Sequence, residues 1–286
     1  MTTRVVKISV DDFPRVHDHL LRKLNPDFAP DRWHRLFNWG WENPEDHVGF
    51  GLESESGSLV GFLASIYSVQ ELGEGDPVKV CNVSSWIVEP GFRSSALALV
   101  MPILRRRDLT VTNLTSLPEV NDIFRKLGFS TLETHTRILP PLPGPFRVRR
   151  MECLKIDPHD AESVANGETV SLIRDHSRVE HQWLVKGDEG NCHVVLTLGR
   201  RRRLRTARIH YLSDPKIFAQ GIWSLRRRLF EEDGIVLCEW DERLLGGLEV
   251  PRTRRIRLPV SRIFRSSRIK AEQLSNLYSE LPLLNL

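Results

Sequence analysis

The stretch Val88-Glu89-Pro90-Gly91-Phe92-Arg93-Ser94-Ser95-Ala96-Leu97-Ala98 has the residue types that a main-chain anion site needs. Small side chains where a strand turns into a helix let backbone N–H groups approach a ligand, and the helix dipole favours negative charge there. Arg93 adds a charge-assisted donor. The same stretch also suits an ordinary strand-to-helix turn. Just before it, Asn82, Ser84 and Trp86 alternate along the apolar run Val78–Val88, so strand geometry places them on one face, with Cys81 on the other. Further on, Asp175-His176 and His181 suggest acid–base work. Adjacent helical residues do not share a face, however, so Asp175 is poorly placed to orient His176, and the histidines read as surface residues.

The elements that must position these residues alternate between strand and helix. Val5–Val10 reads as a strand. Asp11 or Asp12 can cap a helix with Phe13, Val16, Leu20, Leu21 and Leu24 on one side. Trp33–Trp41 predicts a second, aromatic-rich helix. His47–Glu53, Leu59–Gln70 and Val78–Val88 follow as strands, the last preceded by the turn Gly73-Glu74-Gly75-Asp76-Pro77. Leu97, Val100, Met101 and Leu104 make a helical stripe in which Pro102 should cause a kink. Arg105, Arg106 and Arg107 crowd its end, where cations suit the dipole or reach nucleotide phosphates. Leu109–Leu114 is a strand. Val120, Ile123, Phe124 and Leu127 form another helix, which Gly128 ends, and Phe129–Leu139 closes the set.

Pro140, Pro141, Pro143 and Pro145 then make a stiff linker over 140–146, dividing the chain into units 1–139 and 147–286. In the second unit Ala161–Ile173 predicts a helix, and Cys192–Leu198 with Ala207–Leu212 a hairpin. Asp214-Pro215 starts a long helix, and Ile235–Trp240 is a strand. The tail 271–286 is apolar enough to dock on the fold or to join two chains.

Composition sets outer limits. Of 286 residues, 40% are hydrophobic and 27% charged, which is ordinary globular chemistry. No stretch approaches the roughly 18 uncharged apolar residues of a membrane span, and the first residues lack a secretory core. A soluble, cytoplasmic protein is the expectation. Cys81, Cys153, Cys192 and Cys238 show no C-x-x-C or Cys/His spacing, so no metal is expected. Residues 1–140 carry 15 Lys+Arg against 18 Asp+Glu, and the remainder 26 against 19. The basic run Arg200-Arg201-Arg202-Arg203, with Arg205 and Arg208, has no interleaved aromatics, so nucleic acid is not the expected partner. A solvated loop, an acidic carrier protein or the phosphates of a coenzyme-A thioester all fit it.

Four of these pieces, in order, resemble the GNAT acyltransferase superfamily. They are Val88-Glu89-Pro90, Arg93-x-x-Ala96-x-Ala98, the strand Leu109–Leu114, and Phe124-Arg125-Lys126-Leu127-Gly128-Phe129. The resemblance covers about residues 4–139. It implies a site for acetyl-CoA or another acyl-CoA. The pyrophosphate would lie on the amides of Ser94, Ser95, Ala96, Leu97 and Ala98 beside Arg93. The pantetheine arm would pair with the backbone of Trp86, Ile87 and Val88, with Asn113 and Phe124 nearby. A strand N–H would polarise the thioester carbonyl.

Three positions depart from the pattern. Ala96 replaces a glycine, so its methyl group either obstructs close approach of the phosphate or is harmless where the backbone is already right-handed helical. Phe124 stands where many members carry a tyrosine acid. The strand Val78–Val88 holds no glutamate base, which leaves Asn82 and Ser84 to hold a water that takes the proton, or simply to line the site. The second half looks like a degenerate copy, with Ser213-Asp214-Pro215-Lys216-Ile217 in place of the phosphate loop.

The expected fold is therefore α/β of the α+β type: two GNAT-like units with mixed, mostly antiparallel sheets flanked by helices. The expected function is transfer of an acyl group from acyl-CoA to a small-molecule or peptide amine. An acyl-CoA-binding sensor and a transferase served by an acyl carrier protein are the alternatives.

Overall fold

The structure is a computed structural model and describes residues 2–72, 76–141, 150–164, 167–178 and 181–286. Residues 73–75 of the predicted turn and 142–146 of the predicted linker lie outside these.

The described strands form one continuous sheet. At one end β1 (Thr3–Ile8), β2 (Gly49–Ser54), β3 (Leu59–Gln70) and β4 (Val78–Val88) pair antiparallel, and β5 (Leu109–Asn113) joins β4 in parallel. The next strand, β12 (Arg254–Arg265), comes from the far end of the chain. It lies antiparallel between β5 and β6 (Ser130–Leu139). Beyond β6 the order continues through β11 (Leu237–Asp241), β10 (Leu204–Leu212), β9 (Asn191–Arg201), β8 (His181–Lys186) and β7 (Glu152–Lys155).

The arrangement repeats about the central β12–β6 pair. β3–β4 is antiparallel and β4–β5 parallel; on the other side β9–β10 is antiparallel and β10–β11 parallel. A helix follows β4 (Leu97–Leu104) and another follows β10 (Pro215–Asp233). The two halves exchange strands at the centre, because β6 pairs with β11 and β12 with β5. Through these pairings the sheet continues from the strands of one half of the sequence to those of the other.

Local chemistry explains most boundaries. Asp214 Oδ1 accepts the Ile217 amide at 2.9 Å and Pro215 opens the helix, which Gly234 ends at φ 64°. Gly128, at φ 88°, follows the helix Pro118–Lys126. The N-terminal helical stretch is started by Ser9 rather than by Asp11 or Asp12 alone: Asp12 Oδ2 accepts the Ser9 amide at 2.8 Å in a capping box. The helix expected over Trp33–Trp41 is only Pro30–His34. Past it the chain turns so that Trp39 and Trp41 both enter the core, and Gly40 lies so close to the Asp175 carbonyl that a Cβ would fall 2.3 Å from it. Tertiary packing overrides the helical period there. The predicted helix Ala161–Ile173 is two pieces, Ala161–Val164 and Glu168–Asp175, with Gly167 between them at φ 54°.

Helices Leu97–Leu104 and Pro118–Lys126 pack on the Cys81 and Val83 face of β4. The opposite face carries Val78 and Val80, which meet Leu274 and Leu281 of the C-terminal tail. Leu283 and Leu284 join the core beneath the N-terminal helices, so the tail is a structural layer of the fold. No described helix is long and apolar enough to cross a membrane.

Candidate active site

β4 and β5 stay paired only from Lys79 and Leu109 to Asn82 and Thr112. β4 then continues to Val88 alongside β3, which leaves its other edge without a ladder to β5. Within that free edge the register with β3 slips: Ser84 faces Ala64 but Ile87 faces Phe62. The extra residue makes a β-bulge, and Ser85 takes up the left-handed conformation at φ 52°. A bulge turns backbone N–H groups out of the ladder and aims them elsewhere.

The bulge also inverts the alternation. Asn82 and Ser84 remain on the tail side of β4, but Trp86 swings to the other face and packs edge-on against Phe124 with ring centroids 5.5 Å apart. The expected shared face of Asn82, Ser84 and Trp86 is thus corrected, because a single inserted residue shifts a period-two pattern by one. Ile87 packs with the N-terminal helices and Val88 with the Leu97–Leu104 side. Phe124 is fully buried between Trp86 and Phe129.

Asn82 is buried and both ends of its amide are occupied. Its Nδ2 donates to Thr112 Oγ1 at 3.1 Å, and its Oδ1 accepts the backbone amide of Glu280 at 3.2 Å. Ser84 is held more loosely, its Oγ 3.4 Å from Ser85 Oγ. Asn113 is buried at the end of β5.

Glu280 is the site residue that sequence reasoning missed. It is completely buried, and its Oε1 accepts from Thr115 Oγ1 at 2.7 Å. Its Oε2 has no hydrogen-bond partner among the described residues. Burial pushes its carboxyl pKa up, opposed first by the Thr115 bond and then more weakly by groups including the Arg262 charge. The tail thus places a carboxyl group beside β4, whose own run Val78–Val88 holds no acid. Its sequence signal is faint: Glu280 is the one acid in the leucine-rich run Leu277–Leu286.

The turn after β4 is a 3-10 helix, Pro90–Ser95, leading into Leu97–Leu104. Gly91, Arg93, Ser94 and Leu97 are exposed and Ser95, Ala96 and Ala98 half-buried, so core side chains do not cover the bend. The Ala96 amide donates to Arg93 O at 3.1 Å, so that N–H already has a partner within the protein. Leu97 and Ala98 open the α-helix, where N–H groups fall outside the intrahelical ladder. Ala96 itself is right-handed helical at φ −57°, so its methyl group causes no backbone conflict. Arg93 has no ion-pair partner among the described residues, whereas Arg106 is tied to Glu45 and Asp108. The corresponding bend of the second half carries the Asp214 carboxylate on its own helix N-terminus, which would repel a second anion.

Other candidates have structural roles. His176 and His181 are buried, which corrects their reading as surface residues. His176 stacks on Trp41, and burial lowers its pKa to about 4. Asp175 accepts from Tyr278 Oη at 2.8 Å, not from His176. Cys81 is buried in the core and its thiol is pushed up to about 12, which removes it as a nucleophile. Within the basic run Arg202 forms the hairpin turn at φ 56°, and Arg201 and Arg208 share Glu239, each at 2.7 Å. Glu133, His135 and Glu242 lie close together. Glu133 already accepts the amides of Thr134, His135 and Arg243, and Glu242 is bound by Arg137 and Arg255.

No protein-family model matches the sequence, and no curated protein matches it. Solved structures do. A GCN5-related N-acetyltransferase from Anabaena variabilis superposes with a TM-score of 0.62 at 13% identity, over 92% of this chain and 72% of that one. One from Kribbella flavida gives 0.60 at 14%, over 93% and 71%. Eis1 from Mycobacterium abscessus gives 0.56 at 16%, over 93% and 73%. At such identities the likeness lies in the architecture, and the chain shares the overall fold of these solved GCN5-related N-acetyltransferases.

Proposed function

We propose that this chain is an acyl-CoA-dependent N-acyltransferase whose working site lies in the first half. The observation that carries the reading is the bulge at Ser85, placed where β4 and β5 part and followed by an exposed turn whose Arg93 has no ion-pair partner among the described residues. A bound acyl-CoA supplies an activated thioester. The edge of Trp86–Val88 offers an extended backbone for an amide-bearing arm, while Arg93 and the amides of Leu97 and Ala98 suit a diphosphate. The amides turned outward by the bulge stabilise charge that develops on the carbonyl oxygen. Each such donor is worth about 2.7–4 kcal/mol in comparable sites. The acceptor amine approaches from the Asn82 and Ser84 side, where the carboxyl of Glu280 also lies.

The two rivals each have some support. Phe124 brings no acid to the site, which favours an acyl-CoA sensor without turnover. The exposed Arg200, Arg202 and Arg203 suit an acidic carrier protein as donor.

Calorimetric titration with acetyl-CoA, combined with thiol release across an amine panel, tests the reading. Micromolar binding together with thiol release supports it. Binding without thiol release favours the sensor, and thiol release from an acyl carrier alone favours the carrier-dependent enzyme.

A further inference from the structure

A cavity of about 560 Å3 opens beyond the end of β5, between the two halves. Leu114, Leu117, Leu258 and Val260 give it apolar walls, and Arg201, Arg208 and Arg262, paired with Glu239 and Asp241, form its charged side. Thr115 and Leu281 also line it. Thr115 is the residue that donates to Glu280 Oε1, and Leu281 is its chain neighbour, so the carboxyl sits one side chain behind the cavity wall.

Two features set Glu280 apart from a packing residue. A fully buried carboxyl normally has every lone pair matched, yet Oε2 has no hydrogen-bond partner among the described residues. Its backbone amide is fastened to Asn82, three residues before the bulge at Ser85, which fixes the carboxyl beside the parted strands. The charged group acting on it is Arg262 of β12, which itself lies 3.0 Å from Asp241 of β11. Its other neighbours, Asn82 and Thr115, are neutral.

Resting on the acyl-transfer reading, we propose that this cavity receives the acceptor, an amine on an apolar body, and that Glu280 Oε2 takes its proton. The amine nitrogen forms a bond to the thioester carbon as the carbon–sulfur bond breaks and its electron pair stays on sulfur. Because Thr115 and Leu281 stand between the cavity and the carboxyl, the proton released by nitrogen passes to Oε2 through one water, and then to solvent or to the thiolate. General-base help of this kind is worth about 10²–10⁴-fold.

The test measures kcat and kcat/KM against pH for the full chain and for Glu280→Gln, with acetyl-CoA and either phenethylamine or glucosamine as acceptor. The expected results are a fall in kcat of at least about 100-fold, acetyl-CoA affinity within about threefold of the unsubstituted chain, and loss of the acidic limb of the kcat/KM profile. Phenethylamine should exceed glucosamine by at least about tenfold in kcat/KM. Thr115→Val removes a donor that favours the ionised carboxyl, so the acidic limb should move to higher pH; this variant also serves if Glu280→Gln does not fold. Unchanged kcat and an unchanged limb in these variants overturn the role of Glu280, and a glucosamine preference overturns the cavity assignment. An unsubstituted chain that binds acetyl-CoA but releases no thiol with any amine overturns the underlying acyl-transfer reading instead.

Discussion

The backbone amide of Glu280 bonds Asn82 Oδ1 at 3.2 Å, joining residues 198 positions apart in the chain. That bond pins the C-terminal tail across the strand that carries the bulge. Asn82→Ala strands the buried Glu280 amide and the Thr112 hydroxyl together. Leaving a buried donor unmade costs about 1–3 kcal/mol, so urea unfolding should show a loss of that order. Ser84→Ala breaks only a 3.4 Å contact and should cost less than about 1 kcal/mol. Equal losses from the two would contradict the asymmetry.

Arg93 is exposed and has no ion-pair partner among the described residues, so its charge is available to an anion. Arg93→Glu should weaken acetyl-CoA binding by about tenfold or more in calorimetry while leaving the melting temperature nearly unchanged. Ala96→Gly should leave affinity within about twofold, because the Ala96 backbone is already helical and its amide bonds Arg93 O.

Phe124 lies fully buried against Trp86 and Phe129. Phe124→Tyr would place a hydroxyl in a space built of aromatic rings, at a cost of about 1–3 kcal/mol. Thermal melting should fall and kcat should not rise. A gain in kcat would mean that the ring edge reaches the reacting sulfur.

Burial lowers the pKa of His176 and His193 to about 4 and that of His210 to about 3. Between these values and the usual 6.5, the unfolded chain binds protons that the folded chain does not. Their stabilising contribution is therefore complete above about pH 6.5 and is lost as pH falls toward 4. Each contributes a slope of at most about 1.4 kcal/mol per pH unit. Glu280 and Asp175, whose pKa values burial raises, act in the opposite sense. His47 is lowered by burial too, and with four histidines against two carboxyls, denaturant unfolding at pH 7 and pH 5 should show lower stability at pH 5. Equal stability would mean that the imidazoles titrate freely.

The sequence by itself determined the elements whose signals are local. The apolar runs of β3 and β4, the Asp214-Pro215 start and Gly234 end of the long helix, and the order of motifs from Val88 to Phe129 all follow from neighbouring residues. That order was enough to name the fold that the superpositions bear out. What only the tertiary structure decided depends on residues far apart. No local pattern marks Ser85 as the inserted residue of a bulge, because a bulge is defined against the partner strand; one insertion then moved Trp86 to the opposite face. The exchange of β12 into the gap between β5 and β6 is a choice of partner, which strand propensity does not encode. Glu280 reads as one acid in a leucine-rich tail. Only folding buries it against Asn82 and Thr115, away from water and with Oε2 lacking a hydrogen-bond partner among the described residues.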